Sequence, residues 1–274
     1  MFSRLVATLA VAMAATGFAA RAETALERGA YLMKGPVACG NCHTTPAPGS
    51  PELGGGLRFS ELAFTAIASN LTPDPETGIA QWTDADLING IRNGKRPRGS
   101  TIGPPMPFPA YRGISDDDVK AIVAYLRSVK PVVNKTARSS YRIPLPDSYG
   151  PAVTSVPAVS DADPVNHGAY IVNHLAHCTH CHSKPLEGGG VDTTNGLGAG
   201  GELFRGPWGV SQAPNIPPSG IGHYSDAELK KVIATGERPD GTKLKPPMAV
   251  AYYASMTAKD LDAVVAYLRS MPKK

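Results

Sequence analysis

Cys39 and Cys42 stand three positions apart and are followed at once by His43; Cys178, Cys181 and His182 repeat the arrangement, and together they use all four cysteines of the chain. A C-x-x-C-H run suits covalent haem attachment. A helical turn brings both thiols to one side, where they can add to the two vinyl groups of the ring, and the histidine presents an imidazole to the iron. Other chemistries leave residues unexplained. Disulfides or a dithiol redox motif would not need the adjacent histidine, and certainly not twice. A zinc site built from both C-x-x-C pairs would span 139 residues and ignore His43 and His182. The spacing therefore predicts two covalently bound haem c groups with their iron, held by Cys39, Cys42, Cys178 and Cys181.

One axial ligand leaves the chemistry of such a haem open; the second decides it. In the first half of the chain His43 is the only histidine and both cysteines are committed, so Met33 and Met106 remain as soft ligands. Met33 lies six residues before Cys39, too near in sequence to reach the far face of the ring. Met106 comes 63 residues after His43, between Pro105 and Pro107, which stiffen its loop. In the second half Met248 follows His182 by 66 residues with the same Pro-Pro-Met signature. Met256, Met271 and His223 are further candidates there, without counterparts in the first half. His167, His174, His177 and His180 align with Arg28, Gly35, Ala38 and Asn41, and read as surface residues. The expected iron ligands are therefore His43 with Met106, and His182 with Met248. A histidine–methionine pair closes both axial positions, raises the potential relative to bis-histidine ligation, and leaves no site for oxygen or peroxide. Single-electron transfer is the chemistry that remains.

These residues belong to a unit written twice. Gly29-Ala30-Tyr31 matches Gly168-Ala169-Tyr170, Pro104-Pro105-Met106 matches Pro246-Pro247-Met248, and Val123–Ser128 matches Val265–Ser270 residue for residue. Each copy reads as helical. A first helix covers about 24–34 or 164–175 and leads into the haem motif. A middle helix runs from Thr83 to Gly94 or from Ser225 to Gly236, with a hydroxyl N-cap, an acid three residues on, and a glycine stop. A last helix runs from Ser115 to about Val129, or from Thr257 to Ser270. It buries Val119, Ile122, Val123 and Leu126, or Leu261, Val264, Val265 and Leu268. Small residues at 29, 30, 168 and 169 let the first helix cross the last closely, which is ordinary core packing. The chain is thus expected to be all-α, with one helical domain over 23–130 and another over 164–274. Between them, residues 131–163 lose periodicity and gain prolines, as a semi-rigid linker does.

Residues 1–22 have the form of a cleavable signal: Arg4, an alanine-rich apolar run, then Ala20-Arg21-Ala22. The expected location is periplasmic, with membrane association only through a partner complex. Loss of Arg4 and Arg21 takes the formal charge from +4 down by two, which gives no basis for nucleic-acid binding. Trp82 and Tyr224, just ahead of the middle helices, either donate to a haem propionate or simply pack. Arg96 and Arg238 likewise read either as propionate partners or as solvated turn residues.

The run Ser69-Asn70-Leu71-Thr72-Pro73-Asp74, Thr77-Gly78-Ile79, Trp82-Thr83-Asp84, then Met106-Pro107-Phe108-Pro109-Ala110-Tyr111, carries a family resemblance. Each copy resembles a class I cytochrome c domain. The combination is similar to the cytochrome c subunits of bacterial membrane-bound alcohol and gluconate dehydrogenases and of nicotinate-type hydroxylases. The resemblance implies two tandem haem domains that pass electrons from a dehydrogenase donor toward an oxidase or another cytochrome. Such subunits typically have three haem motifs and this chain has two, so a dehydrogenase subunit and a free-standing dihaem carrier both fit. A peroxidase-like dihaem enzyme requires Met248 not to be a ligand. A dihaem thiosulfate dehydrogenase requires a spare cysteine, and none exists. A haem-based sensor requires an open iron.

Overall fold

The computed structural model describes residues 22–187 and 189–274; the expected signal segment lies, apart from Ala22, outside them. The first half runs α1 (Ala25–Lys34), α2 (Gly40–His43), β1 (Arg58–Ser60), β2 (Phe64–Ile67), α3 (Asp84–Asn93), α4 (Phe108–Tyr111) and α5 (Asp116–Ser128). A short strand, β3 (Ser140–Tyr141), follows. The second half runs α6 (Pro164–Tyr170), which continues as a π-helical turn over Ile171–Leu175, then α7 (Cys178–His182), β4 (Lys184–Pro185) and β5 (Val191–Asp192). It goes on through β6 (Leu203–Gly206), β7 (Gly209–Gln212), α8 (Pro218–Ile221), α9 (Asp226–Thr235), α10 (Val250–Tyr253) and α11 (Ala258–Ser270). The helices fall where the sequence places them, but the all-α expectation is only partly met. Antiparallel hairpins β1–β2 and β6–β7 occupy equivalent places, with β3 added to β2 and a separate β4–β5 pair. These strands are two to four residues long, too short for a period-two pattern to register in sequence.

The helix ends follow their capping chemistry. Thr83 with Asp86, and Ser225 with Glu228, form complete capping boxes, and Gly94 and Gly236 close the same helices in the left-handed conformation. Thr24 with Glu27 caps α1 in the same way. At α5 and α11 only half the box forms. Ser115 Oγ accepts from the Asp118 N–H, and Thr257 Oγ1 accepts from the Asp260 N–H, but neither carboxylate reaches back to its cap. Both acids are turned toward the first helices instead.

The frame of each half is the crossing of its first and last helices. A Cβ on Gly29 would collide with the Ala121 carbonyl, and one on Gly168 with the Ala263 carbonyl, so the backbones meet at the predicted small residues. Behind the crossing, Val119, Ile122, Val123 and Leu126 are buried with Leu32, and Val264, Val265 and Leu268 with Ile171 and Val172. Arg127 and Arg269 then anchor the middle helices. Each makes an ion pair of 3.0 Å with Asp84 or Asp226 and donates to the carbonyls of Ile79 and Trp82, or of Ile221 and Tyr224.

The two halves share one core and hold each other reciprocally. Asp118 receives Arg28 Nε at 2.8 Å from its own half and the Tyr170 hydroxyl at 2.7 Å from the other. Asp260 receives His167 Nε2 at 2.7 Å from its own half and the Tyr31 hydroxyl from the other. The freed acids of the half-formed capping boxes thus become the acceptors of the contact between halves. This overturns the surface reading of the extra histidines, of which His180 is half-buried with its ring edge-on to that of His177. His167 is only 7% exposed, His174 Nδ1 lies 2.9 Å from the Ala110 carbonyl oxygen, and the His177 ring meets Tyr111 edge-on at 5.5 Å. Their counterparts in the first half, Arg28, Gly35 and Ala38, carry no imidazole, so the two sides of the contact differ in chemistry.

Residues 131–163 do not hang free. Val132 accepts from Asn70 at 2.7 Å, β3 extends the β1–β2 sheet, the Tyr141 hydroxyl donates to the Pro104 carbonyl at 3.0 Å, and the Thr101 hydroxyl donates to that of Pro146 at 2.9 Å. The strap ends at Asp116, whose carboxylate accepts from the Ser155 hydroxyl at 2.7 Å and the Val156 N–H at 3.0 Å. Buried Arg92, 1% exposed, pairs with the same carboxylate at 2.7 Å. The second half has Ala234 and Ala258 at the equivalent positions, so the pair is peculiar to the strapped half.

Two expectations test this account. Gly29→Ala should gain up to about 1 kcal/mol of helix propensity. Overpacking against a rigid carbonyl costs about 1–3 kcal/mol or more, so net destabilisation is expected in denaturant titration of the holoprotein. The Ser155, Val156 and Arg92 contacts hold the Asp116 pKa down at about 2, against an ordinary 3.8. Its stabilising contribution is therefore complete above the ordinary value and lost as pH falls through about 2. Asp116→Asn should be less stable than the parent at neutral pH, and acid titration should close that gap between about pH 4 and 2.

Candidate haem attachment sites

Both haem motifs are built the same way. The residue before the first cysteine, Ala38 or His177, is left-handed with φ of 50° or 42°. That conformation is costly for a side chain with a Cβ and is tolerated where its surroundings enforce it. It turns the chain from the first helix into the short helix that carries the motif. There Cys39 and Cys42, and Cys178 and Cys181, lie free and partly buried. Burial is the main cause that pushes their thiols up, to about 12 for Cys39 and Cys178 and about 11 for Cys42 and Cys181.

The histidines are already oriented. His43 Nδ1 lies 2.8 Å from the Ser69 carbonyl oxygen, and His182 Nδ1 lies 2.9 Å from that of Pro214. A carbonyl can only accept, so Nδ1 carries the proton and Nε2 keeps its lone pair for iron. Burial lowers the pKa of both rings, which favours the neutral form a metal ligand needs. Among the described residues no three histidine, cysteine or acidic side chains gather as a metal site of their own. A donor set of two thiols and one neutral, preoriented imidazole fits haem c.

The methionine loops are tied to these motifs. Met106 and Met248 sit partly buried against the core, each after a cis Pro-Pro bond and each five residues before a buried tyrosine that ends α4 or α10. The Tyr111 hydroxyl donates to the Val37 carbonyl at 3.2 Å, and the Tyr253 hydroxyl to that of Ala176 at 3.1 Å. Both acceptors stand two residues ahead of the first cysteine. The tyrosines were not singled out from sequence, although their place in the repeat after Pro-Pro-Met is a readable signal. The rival methionines are core residues: Met33, Met256 and Met271 are all buried. His223 is exposed and stacks on Tyr224. Trp82 and Tyr224 pack against the core. Arg96 and Arg238 brace their own turns, through Thr101 in one case and Thr242 and Lys243 in the other.

A family model described as cytochrome c oxidase, cbb3-type, subunit III matches residues 24–126. Those residues are a cytochrome c domain. Over 91% of its length the chain is 31% identical to the fructose dehydrogenase cytochrome subunit of Gluconobacter japonicus, covering 53% of that protein. It is 32% identical to the cytochrome c subunit of a quinone alcohol dehydrogenase from Gluconobacter oxydans, with 91% of the chain and 55% of the relative aligned. A diheme cytochrome c-type protein of Cereibacter sphaeroides is 29% identical, with 85% and 82% aligned. The chain thus spans about half the length of the first two relatives. The cofactor is covalently bound haem c, which supplies a one-electron iron couple.

Replacing Cys178 and Cys181 by serine should halve the haem bound per chain, read as the pyridine haemochrome of purified protein. Unchanged haem content would remove the second motif from the assignment.

Proposed function

We propose that the chain is a periplasmic dihaem electron carrier, with His43 and Met106 on one iron and His182 and Met248 on the other, in tandem domains over 23–130 and 164–274. The observation that supports it most is the repeated tyrosine tie. In both halves the segment that follows Pro-Pro-Met is bonded to the backbone just ahead of the haem motif. That is what a loop needs if its thioether is to serve the haem attached there. Both histidines leave only Nε2 free, so each iron would take one nitrogen from its motif and one sulfur from its loop.

With both axial positions filled, the protein's part is to hold the iron in nearly one geometry through both oxidation states and to keep water from it. The names of the relatives favour a dehydrogenase as donor, and a respiratory oxidase or another cytochrome suits the acceptor side. Export fits the form of residues 1–22, and among the described residues no helix is long and apolar enough to cross a membrane. Contact with the membrane would then come through a partner complex.

Met106→Ala should lower the potential of one haem by on the order of 0.1 V, within the roughly 0.8 V range that axial ligands command. It should also remove one methionine-to-iron charge-transfer band and admit carbon monoxide to that haem alone. Redox titration and reduced-state spectra read all three. An unchanged spectrum would overturn the ligand assignment, and a high-spin second haem in the parent protein would favour a peroxidase-like enzyme.

A further inference from the structure

The strap that covers the first half has no counterpart on the second, and the two copies show what that leaves open. On the first half, β3 pairs with the outer edge of β2, and the Ile67 N–H, turned away from β1, donates to Ser139 Oγ at 3.0 Å. The strap then crosses the loop ahead of Pro-Pro-Met. The Thr101 hydroxyl donates to the Pro146 carbonyl at 2.9 Å, and the space beside Gly103 is filled by the Tyr141 ring. Tyr149 lies over Phe108 with ring centroids 4.2 Å apart, and Ile88 and Asn89 of α3 line a cleft with residues 152–154.

On the second half the corresponding sheet stops at β7. Leu203 stands opposite Gln212 as Arg58 stands opposite Ile67, so the same alternation turns the Gln212 and Val210 amides to the open edge. Among the described residues no strand pairs there. Leu203 and Val210 are 50% and 46% exposed, and Val250, in the place of Phe108, is only half-buried. Beyond the edge, the strap-facing residues Ile88, Asn89, Thr101 and Gly103 correspond to Lys230, Lys231, Lys243 and Lys245. Lys230 pairs with Asp262 at 2.6 Å and Lys231 with Glu237 at 3.0 Å. Lys243 and Lys245 are exposed, and among the described residues no ion pair reaches them. Arg205 adds an exposed charge on β6, while Asp240, the remaining acid of the loop, is turned onto Thr242.

We infer that this face binds an extended acidic segment of a partner protein, added as a third strand along β7 with its carboxylates toward Lys243 and Lys245. An open strand edge presents backbone donors and acceptors that another backbone satisfies in register. A bare anion or a lipid headgroup would use the lysines and leave the edge and the apolar Leu203 and Val210 unmet. A second copy of this chain is a poor match, since its strap carries Lys135, Arg138 and Arg142 against Asp147 and is already engaged. Positive charge beside the edge, where the first half has neutral residues, selects the sign of the incoming segment. The site needs no haem geometry and stands apart from the carrier reading.

The probe is a blocked hexapeptide alternating glutamate and valine, added to isotopically labelled, reduced holoprotein and read by amide chemical shifts. Saturable shifts at Val210, Gln212, Lys243 and Lys245 that weaken as salt rises and leave β2 unmoved are expected. Lys243→Glu with Lys245→Glu should weaken binding about tenfold. A fully N-methylated version of the peptide, which cannot donate to the edge, should not bind, nor should a peptide alternating lysine and valine. Absence of saturable shifts at β7 up to millimolar peptide would overturn the inference. So would shifts that survive charge reversal or N-methylation, or equal affinity for the lysine peptide. Shifts at β7 that appear on concentrating the protein alone would replace the partner by a second copy. Tighter binding to phosphatidylglycerol vesicles than to the peptide would replace it by a membrane surface; either result overturns the assignment.

Discussion

The close approach of the first and last helices, at Gly29 under Ala121 and at Gly168 under Ala263, is the constraint on which the rest of the structure depends. Backbone can rest on backbone only where no side chain intervenes. Once it does, the position of the residues just beyond the first helix is set within a narrow range. The left-handed turn at Ala38 or His177 then starts the motif helix at a defined angle. The last helix brings its N-terminal acid alongside the first helix, where Asp118 meets Arg28 and Asp260 meets His167. The same crossing thus orients the cofactor motif and presents a carboxylate to the other half.

Polar chemistry in this molecule is used mostly to fix direction. A single carbonyl selects the tautomer of each haem histidine, a tyrosine hydroxyl ties each methionine loop to its motif, and an arginine draws each middle helix onto the last. Each would add only a kilocalorie or so to stability, while the apolar core supplies most of the driving force. What they settle is which of many compact arrangements the chain adopts.

The sequence was most legible where signals are local. The helical turns of the C-x-x-C-H runs, the capped middle helices, the apolar stripes of the last helices and the small residues at the crossing all depend on neighbours within a few positions, and the structure places them as read. Residues whose meaning is set by distant partners were opaque. His167, His174 and His177 looked dispensable because nothing near them in sequence reveals Asp260, Ala110 or Tyr111 as neighbours. Asp118 and Asp260 stand three residues after Ser115 and Thr257, the spacing of a capping box, and only the fold shows them turned elsewhere. Buried Arg92 has its partner 24 residues away, and its meaning emerges only beside Ala234 and Ala258 in the other copy. The hairpins escaped because strands this short owe their existence to the loops and strap around them.

The contact between the halves is reciprocal. A tyrosine of each half reaches the acid of the other, so residue i meets j while the copy of j meets the copy of i. That is the signature of an isologous dimer, here enclosed within one polypeptide. Because both copies lie in one chain, neither side has to be complementary to itself, and the two sides differ: Arg28 meets Asp118 on one where His167 meets Asp260 on the other, and only the strapped half holds the Arg92–Asp116 pair.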